Sequence, residues 1–199
     1  WHLFAAPAIW LARLRGTPAL VNYRGGHADS FFAQRWWLVN ASLRHASAIL
    51  VPSVFLQQVF ARYLSGQDAV PVAIVPNILD QKLFYPLPVS GDNPASAALI
   101  APHCIVTRNL EAIYDIATSI RAFSLLHNDL PEARLTIAGS GPQLAMLQQL
   151  VQQLKLTDAV NFAGRLSSEQ MAELYRSADL MLNSSLVDNS PNSVIEALA

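Results

Sequence analysis

The 199-residue chain is 52% hydrophobic and 14% charged, with 13 Lys or Arg against 14 Asp or Glu and a formal charge of −1. That composition supplies a sizeable core and excludes both disorder and the clustered cations of a nucleic-acid footprint, so no nucleic-acid partner is expected. The one cysteine, Cys104, rules out an internal disulfide, fits a reducing, cytoplasmic compartment and, set in an apolar run, reads as a buried small hydrophobe.

The opening stretch 1–14 is apolar but contains Pro7 and leads into Arg13 and Arg15, well short of the ~18 apolar residues that a membrane helix requires. It reads as a core helix, with peripheral contact at the inner membrane face as the alternative. The chain starts without Met and stops inside a helical pattern, so both ends are expected to be cut from a longer protein. Strands are then expected at 19–22, 48–51 and 72–76, with helices at 30–45 and 54–63. Trp36 and Trp37 fall within the first of these helices as core or interdomain packing. Proline, glycine and small polar residues over 87–98 interrupt the pattern as a linker does. Beyond it, strands at 104–107, 134–138, 159–162 and 179–182 alternate with helices at 112–126, 143–154 and 168–177. Such alternation implies parallel sheets with crossover helices, one α/β unit over 1–86 and a second over 99–199. Met171, Leu174, Tyr175 and Ala178 fall at i, i+3, i+4 and i+7, one face of a helix, and Ile113, Ile116, Ala117 and Ile120 repeat the spacing. Both stripes are expected to face the core. Ser167-x-x-Gln170 just before the first stripe is a capping-box pattern.

The chemistry concentrates near the end. Asp188 and Glu196 flank Asn189-Ser190-Pro191-Asn192-Ser193-Val194-Ile195, where an apolar run ends in small polar residues and Pro191 opens a helix. One carboxylate lies before the helix and the other about a turn inside it. Backbone N–H groups at a helix N-terminus favour anions such as phosphate, and those of Ser190, Asn192, Ser193 and Val194 are the candidates. A phosphate seat between two carboxylates suits a ligand that is part phosphate and part polyhydroxyl, which describes a nucleotide sugar. Arg108 directly follows the strand at 104–107, on the carboxyl edge where doubly wound sheets bind ligands, and its permanent charge suits a pyrophosphate. Gly139-Ser140-Gly141-Pro142 lacks the third glycine of a dinucleotide fingerprint. In the first half, Asn22-Tyr23-Arg24-Gly25-Gly26-His27 lies between a strand and a helix; a ligand loop and a plain Gly-Gly turn are the competing readings. His2, His45, His103 and His127 have no ligand spacing, and no metal site or cofactor is expected.

The second half resembles the donor domain of the retaining glycosyltransferases of GT-B fold, family 4. Pro131 to Pro142 is similar to that family's strand and glycine turn, and Val160 to Leu166 to its next strand and base-side loop. Ala172 to Asp179 is similar to the helix before its active-site strand, and Asp188 to Glu196 falls on its E-x7-E motif in a D-N-x-P-N variant. Val51-Pro-Ser53 and Val75-Pro-Asn77-Ile-Leu-Asp80 resemble phrases of its acceptor-side domain. The resemblance implies two Rossmann-like units with parallel sheets facing a cleft, both incomplete here, and sugar transfer from a nucleotide diphosphate donor to a hydroxyl acceptor, with retention and without a metal. Polysaccharide biosynthesis, with a glycan or lipid-linked acceptor, is the setting it implies. By the same resemblance Glu196 holds the ribose hydroxyls and Asp188 contacts the donor sugar, shared with Asn189 because Asp is one methylene shorter than the usual Glu. Arg108 stabilises the departing diphosphate, without the lysine that usually follows it. Leu166 lies beside the base, and the loop with Arg24, Gly25, Gly26 and His27 meets acceptor and sugar. The Asp at 188 and the missing lysine leave two alternatives: a nucleotide-sugar-binding scaffold without activity, and a nucleotide-sugar epimerase.

Overall fold

Short aliphatic and β-branched runs build two separate, wholly parallel sheets. The computed structural model describes residues 1, 3–64, 69–86 and 101–199; the linker read at 87–98, and His2, lie outside them. The described chain falls into two compact units, Trp1–Ile78 with Asp188–Ser190, and Leu79–Val187 with Pro191–Ala199. Residues 79–86 therefore group with the second unit rather than with the first half of the chain.

In the first unit, α1 (Ala5–Leu14) precedes β1 (Leu20–Asn22), α2 (Ala28–Leu43), β2 (Ala48–Val51), α3 (Val54–Tyr63) and β3 (Val72–Ile74). The strands lie in the order β1-β2-β3, with Leu20 opposite Ala48 and Ile49 opposite Val72. Parallel neighbours cannot be joined by a tight turn, so α2 and α3 make the crossovers and bury one face each. Phe32, Val39 and Leu43 of α2 and Leu56, Val59 and Phe60 of α3 are fully buried with Ile49 and Val51 of β2. Each such side chain contributes about 1.5–3 kcal/mol through burial. Trp36 joins this core through Phe32 and Tyr63, with ring centroids 5.3 and 5.2 Å away. Trp37 does not. It is 71% exposed, because one step along a helix turns a side chain by about 100° away from its neighbour's face.

The second unit holds β4 (His103–Thr107), α4 (Ile116–Asp129), β5 (Arg134–Ala138), α5 (Leu144–Gln153), β6 (Val160–Gly164), α6 (Ser168–Ser177), β7 (Leu180–Met181) and α7 (Asn192–Ala197). Strand order is β6-β5-β4-β7. The chain walks outward from β4 to β6, then returns to add β7 on the other side of β4. Such a reversal is a topological switch point, where loops after neighbouring strands diverge and leave a crevice. Cys104 and Val106 of β4, Leu135 and Ile137 of β5, and Ile116, Ile120 and Phe123 of α4 form the core. Cys104 is thus the buried hydrophobe its apolar setting implies. The capping box at Ser167 and Gln170 is formed, with both reciprocal bonds present.

The helix expected over 112–126 is instead two pieces, a 3-10 turn at Ala112–Tyr114 and α4, divided by Asp115 at φ 43°. Tertiary bonds decide this. The Ser184 hydroxyl reaches the carbonyl oxygens of Tyr114 at 3.1 Å and Asp115 at 2.7 Å, and the Thr118 hydroxyl donates to the Asp115 carboxylate at 2.7 Å. Carbonyls so engaged leave the regular ladder, and α4 starts afresh.

Candidate functional site

On the β5 side of the switch point, the loop that leaves β4 is set by main-chain contact. Thr107 closes β4, opposite Ala138 of β5, which is in turn opposite Gly164 of β6. The loop after β4 lies directly on the loop after β5. A Cβ at Gly139, whose φ is +152°, would fall 1.9 Å from the Arg108 carbonyl oxygen, and one at Gly141 would fall 2.4 Å from that of Leu110. Only glycine allows so close an approach. The contact is fastened by Leu110 N–H to the Ser140 carbonyl at 3.1 Å and Gln143 N–H to the Leu110 carbonyl at 3.0 Å. The glycine turn therefore fixes where Arg108 leaves the sheet, which accounts for its two glycines without a dinucleotide. The Arg108 guanidinium lies over the Tyr114 ring, 5.2 Å from its centroid.

Glu196 stands on α7, one turn in. Its Oε2 accepts a hydrogen bond from the Tyr175 hydroxyl of α6 at 3.2 Å, and that hydroxyl also meets the Thr107 hydroxyl at 3.0 Å. Burial holds the Tyr175 phenol well above its ordinary range; the Glu196 charge pushes it further up and the Arg108 charge pulls it down. Thr107 immediately precedes Arg108, so the half-buried Tyr175 hydroxyl links the strand end that carries the cation to the acid on α7. A cavity of about 320 Å³ opens beside Tyr175 and Glu196, lined among others by Phe84, Tyr85 and Arg176. Residues 79–86 secure α6 from outside. Arg176 donates to the Leu83 carbonyl at 3.1 Å and lies over Tyr85, and Phe84 meets the Tyr175 ring edge-on at 6.0 Å.

At the start of α7 the Val194 N–H donates to the Pro191 carbonyl at 3.2 Å. The helix's own first bond therefore takes up that amide, and the amides of Asn192 and Ser193 stand ahead of it. Among the described residues, the Ser193 hydroxyl is buried and has no hydrogen-bond partner. Leu166 is half-buried just before the Ser167 cap.

Asp188, Asn189 and Ser190 group with the first unit. The exposed Asp188 carboxylate accepts from the Asn189 N–H at 2.8 Å. The Ser53 hydroxyl donates to Asn189 Oδ1, while the Asn189 amide nitrogen is buried and has no partner among the described residues. Asn77 donates to the Ser190 carbonyl at 2.7 Å and accepts from Arg24 at 2.6 Å; Arg24 also donates to Asn22 at 3.2 Å. Ser190 sits at φ 56°, uncommon for a residue with a side chain. Arg24 is thus tied to the side-chain amides of Asn22, which ends β1, and of Asn77, which follows β3. Gly25 and Gly26 form the turn beside it, and exposed His27 precedes α2.

The family model described as Glycosyl transferases group 1 matches residues 102–199. Over these residues, just under half of the chain, it is similar to the group 1 glycosyl transferases. An alpha-monoglucosyldiacylglycerol synthase of Streptococcus pneumoniae is 22% identical over 210 residues, covering 96% of this chain and 46% of that protein. A mannosylfructose-phosphate synthase of Agrobacterium fabrum is 36% identical over 94 residues, 43% of this chain and 20% of that protein. Among solved structures, HepE of Anabaena in complex with UDP superposes with a TM-score of 0.77 at 16% identity, covering 98% of this chain and 54% of that one. Sucrose-phosphate synthase from Thermosynechococcus elongatus gives 0.74 at 23%, covering 96% and 51%. The chain thus spans 46% of the first relative and 54% and 51% of the two solved structures, and its match to the second relative covers a fifth of that protein. Its fold is the α/β fold of the GT-B glycosyltransferases, with two Rossmann-like units, as the motif order implies. No helix among the described residues is long and apolar enough to cross a membrane. No group of three or more potential metal ligands is gathered among them.

Sequence reading missed Tyr175 and Thr107 as parts of the site. Tyr175 was placed on a core-facing stripe, and only the polar end of an otherwise apolar face signalled more; a buried tyrosine hydroxyl needs a partner.

Proposed function

We propose that the protein transfers a sugar from a nucleoside diphosphate sugar to a hydroxyl acceptor, with retention at the anomeric carbon and without a metal ion. The observation that carries this reading is the hydrogen-bonded run from Thr107, the neighbour of Arg108, through Tyr175 to Glu196 at the switch point of the sheet. In the transfer, the bond from the anomeric carbon to the diphosphate oxygen breaks, the acceptor oxygen bonds that carbon, and the hydroxyl proton leaves with the diphosphate. Negative charge gathers on the leaving group. Arg108 and the amides of Asn192 and Ser193 meet it, with the orphaned Ser193 hydroxyl as a further donor, and fixed donors of this kind act without reorganising. A buried donor left unmade costs about 1–3 kcal/mol, which a phosphate oxygen would recover. Glu196 accepts the ribose hydroxyls, since an ionised carboxylate accepts without competing as a donor. Asp188 orients the sugar with Asn189, and Leu166 borders the base. Gly25, Gly26 and His27 offer the acceptor-side contact, with Arg24 holding their loop in shape.

The proposal extends to a glycan or lipid-linked acceptor, handled at the cytoplasmic face of the inner membrane. Exposed Phe4, Trp10, Leu11 and Leu14 of the α1 segment, next to Arg13 and Arg15, support a peripheral contact there. The diacylglycerol named for one relative fits the same view. Glu196→Ala tests the core of the proposal. Hydrogen bonds to a charged group are worth about 1.5–3 kcal/mol, so loss of this acceptor should weaken nucleoside diphosphate binding roughly 10–100-fold and abolish measurable turnover. Unchanged affinity and kinetics would remove the reading. Binding with no turnover in the unmodified protein would favour a scaffold.

A further inference from the structure

We infer that Tyr175 is a positioning residue that aims the Glu196 carboxylate at a ribose, and so sets the site's preference for ribonucleotides. The inference rests on the nucleotide-sugar reading above. Three elements meet at the phenol: α6 carries it, β4 supplies Thr107, and α7 supplies Glu196. A carboxylate only accepts, so the 3.2 Å bond to Oε2 is donated by Tyr175. The phenol oxygen is then left to accept from the Thr107 hydroxyl at 3.0 Å. The relay therefore runs one way, from Thr107 through Tyr175 to Glu196.

Its direction has a consequence for the ligand. Among the described residues Tyr175 is the one hydrogen-bond partner of Glu196, and it occupies Oε2. That bond restrains rotation of the carboxylate about its last bond and so favours one orientation of Oε1. A vicinal diol needs such a fixed acceptor, because its two hydroxyls must both find lone pairs at once. Preorganisation of this kind increases affinity by removing the cost of ordering the acceptor on binding. Burial also keeps the phenol protonated, so the donor persists across the neutral range. The ring itself is held by Phe84 at 6.0 Å and has no need of the hydroxyl for its packing.

Tyr175→Phe in the full chain removes the donor and keeps the ring. Calorimetry would compare UDP, its 2′,3′-dideoxy counterpart and inorganic pyrophosphate. The expected result is about a tenfold loss of UDP affinity, unchanged affinity for the other two probes, and no further loss when the change is added to Glu196→Ala. Thr107→Val reads the relay from its other end and should give the same pattern, more weakly, even if Tyr175→Phe fails to fold. Equal losses for all three probes, or a fall in thermal midpoint with UDP affinity intact, would overturn the positioning role while leaving the nucleotide site standing. Failure of the unmodified chain to bind UDP and pyrophosphate would overturn both.

Discussion

Two loops in this molecule leave the carboxyl end of a parallel strand with an arginine near their head, and they fix it by different means. After β1, Arg24 is held by the side-chain amides of Asn22 and Asn77. After β4, Arg108 is set by its own main chain, whose carbonyl occupies the space a Gly139 side chain would need. The first arrangement spends the guanidinium on the architecture of its loop. In the second, the backbone fixes the point of departure, and the preceding Thr107 hydrogen-bonds a half-buried tyrosine that also holds an acid. Equivalent places in sequence thus carry different duties, and the partners, not the residue type, decide which.

The hardest test of this contrast is Gly139→Ala. A Cβ 1.9 Å from a carbonyl oxygen cannot be absorbed by a side-chain shift, so the variant should lose about 3 kcal/mol or more in denaturant unfolding, together with nucleoside diphosphate binding. A loss below about 1 kcal/mol would mean that the Arg108 loop is held otherwise. Next come the two arginines as a pair. Arg108→Ala should lower kcat by about 10²–10³-fold with stability nearly intact. Arg24→Ala should cost about 1–2 kcal/mol of stability and leave kcat within about threefold; the reverse pattern would break the comparison. The smallest effect is expected at Ser167→Ala, which removes one cap from α6, costs about 1 kcal/mol and leaves kinetics unchanged.

Where local pattern governs, the sequence was readable. The strands at 48–51 and 134–138 and the helices at 54–63 and 168–177 have the bounds their periodicity implies, because alternation and 3.6-residue spacing are properties of the segment itself. The Ser167 cap is equally local. Asp115 was not legible, since the bond that ends the turn there comes from Ser184, 69 residues away. Nor was Tyr175, whose partners lie 68 residues before it and 21 after it. The candidate site was legible as far as its charges. Thr107, beside Arg108, and Glu196 meet at the Tyr175 hydroxyl, whereas the amide of Val194 is absorbed by the helix it opens. The bond from Arg24 to Asn77, 53 positions on, has no signal in the local sequence.

Cys104 lies fully buried in β4, four positions before Arg108, with its thiol pushed up chiefly by burial and also by the Asp179 charge. A thiol that is both hidden and reluctant to ionise is inert toward alkylating reagents while the strand stays in place. The rate at which it becomes labelled therefore counts the openings of the strand that carries Arg108. The chain comes with its own gauge of how often that strand lets go, and no reporter has to be engineered into it.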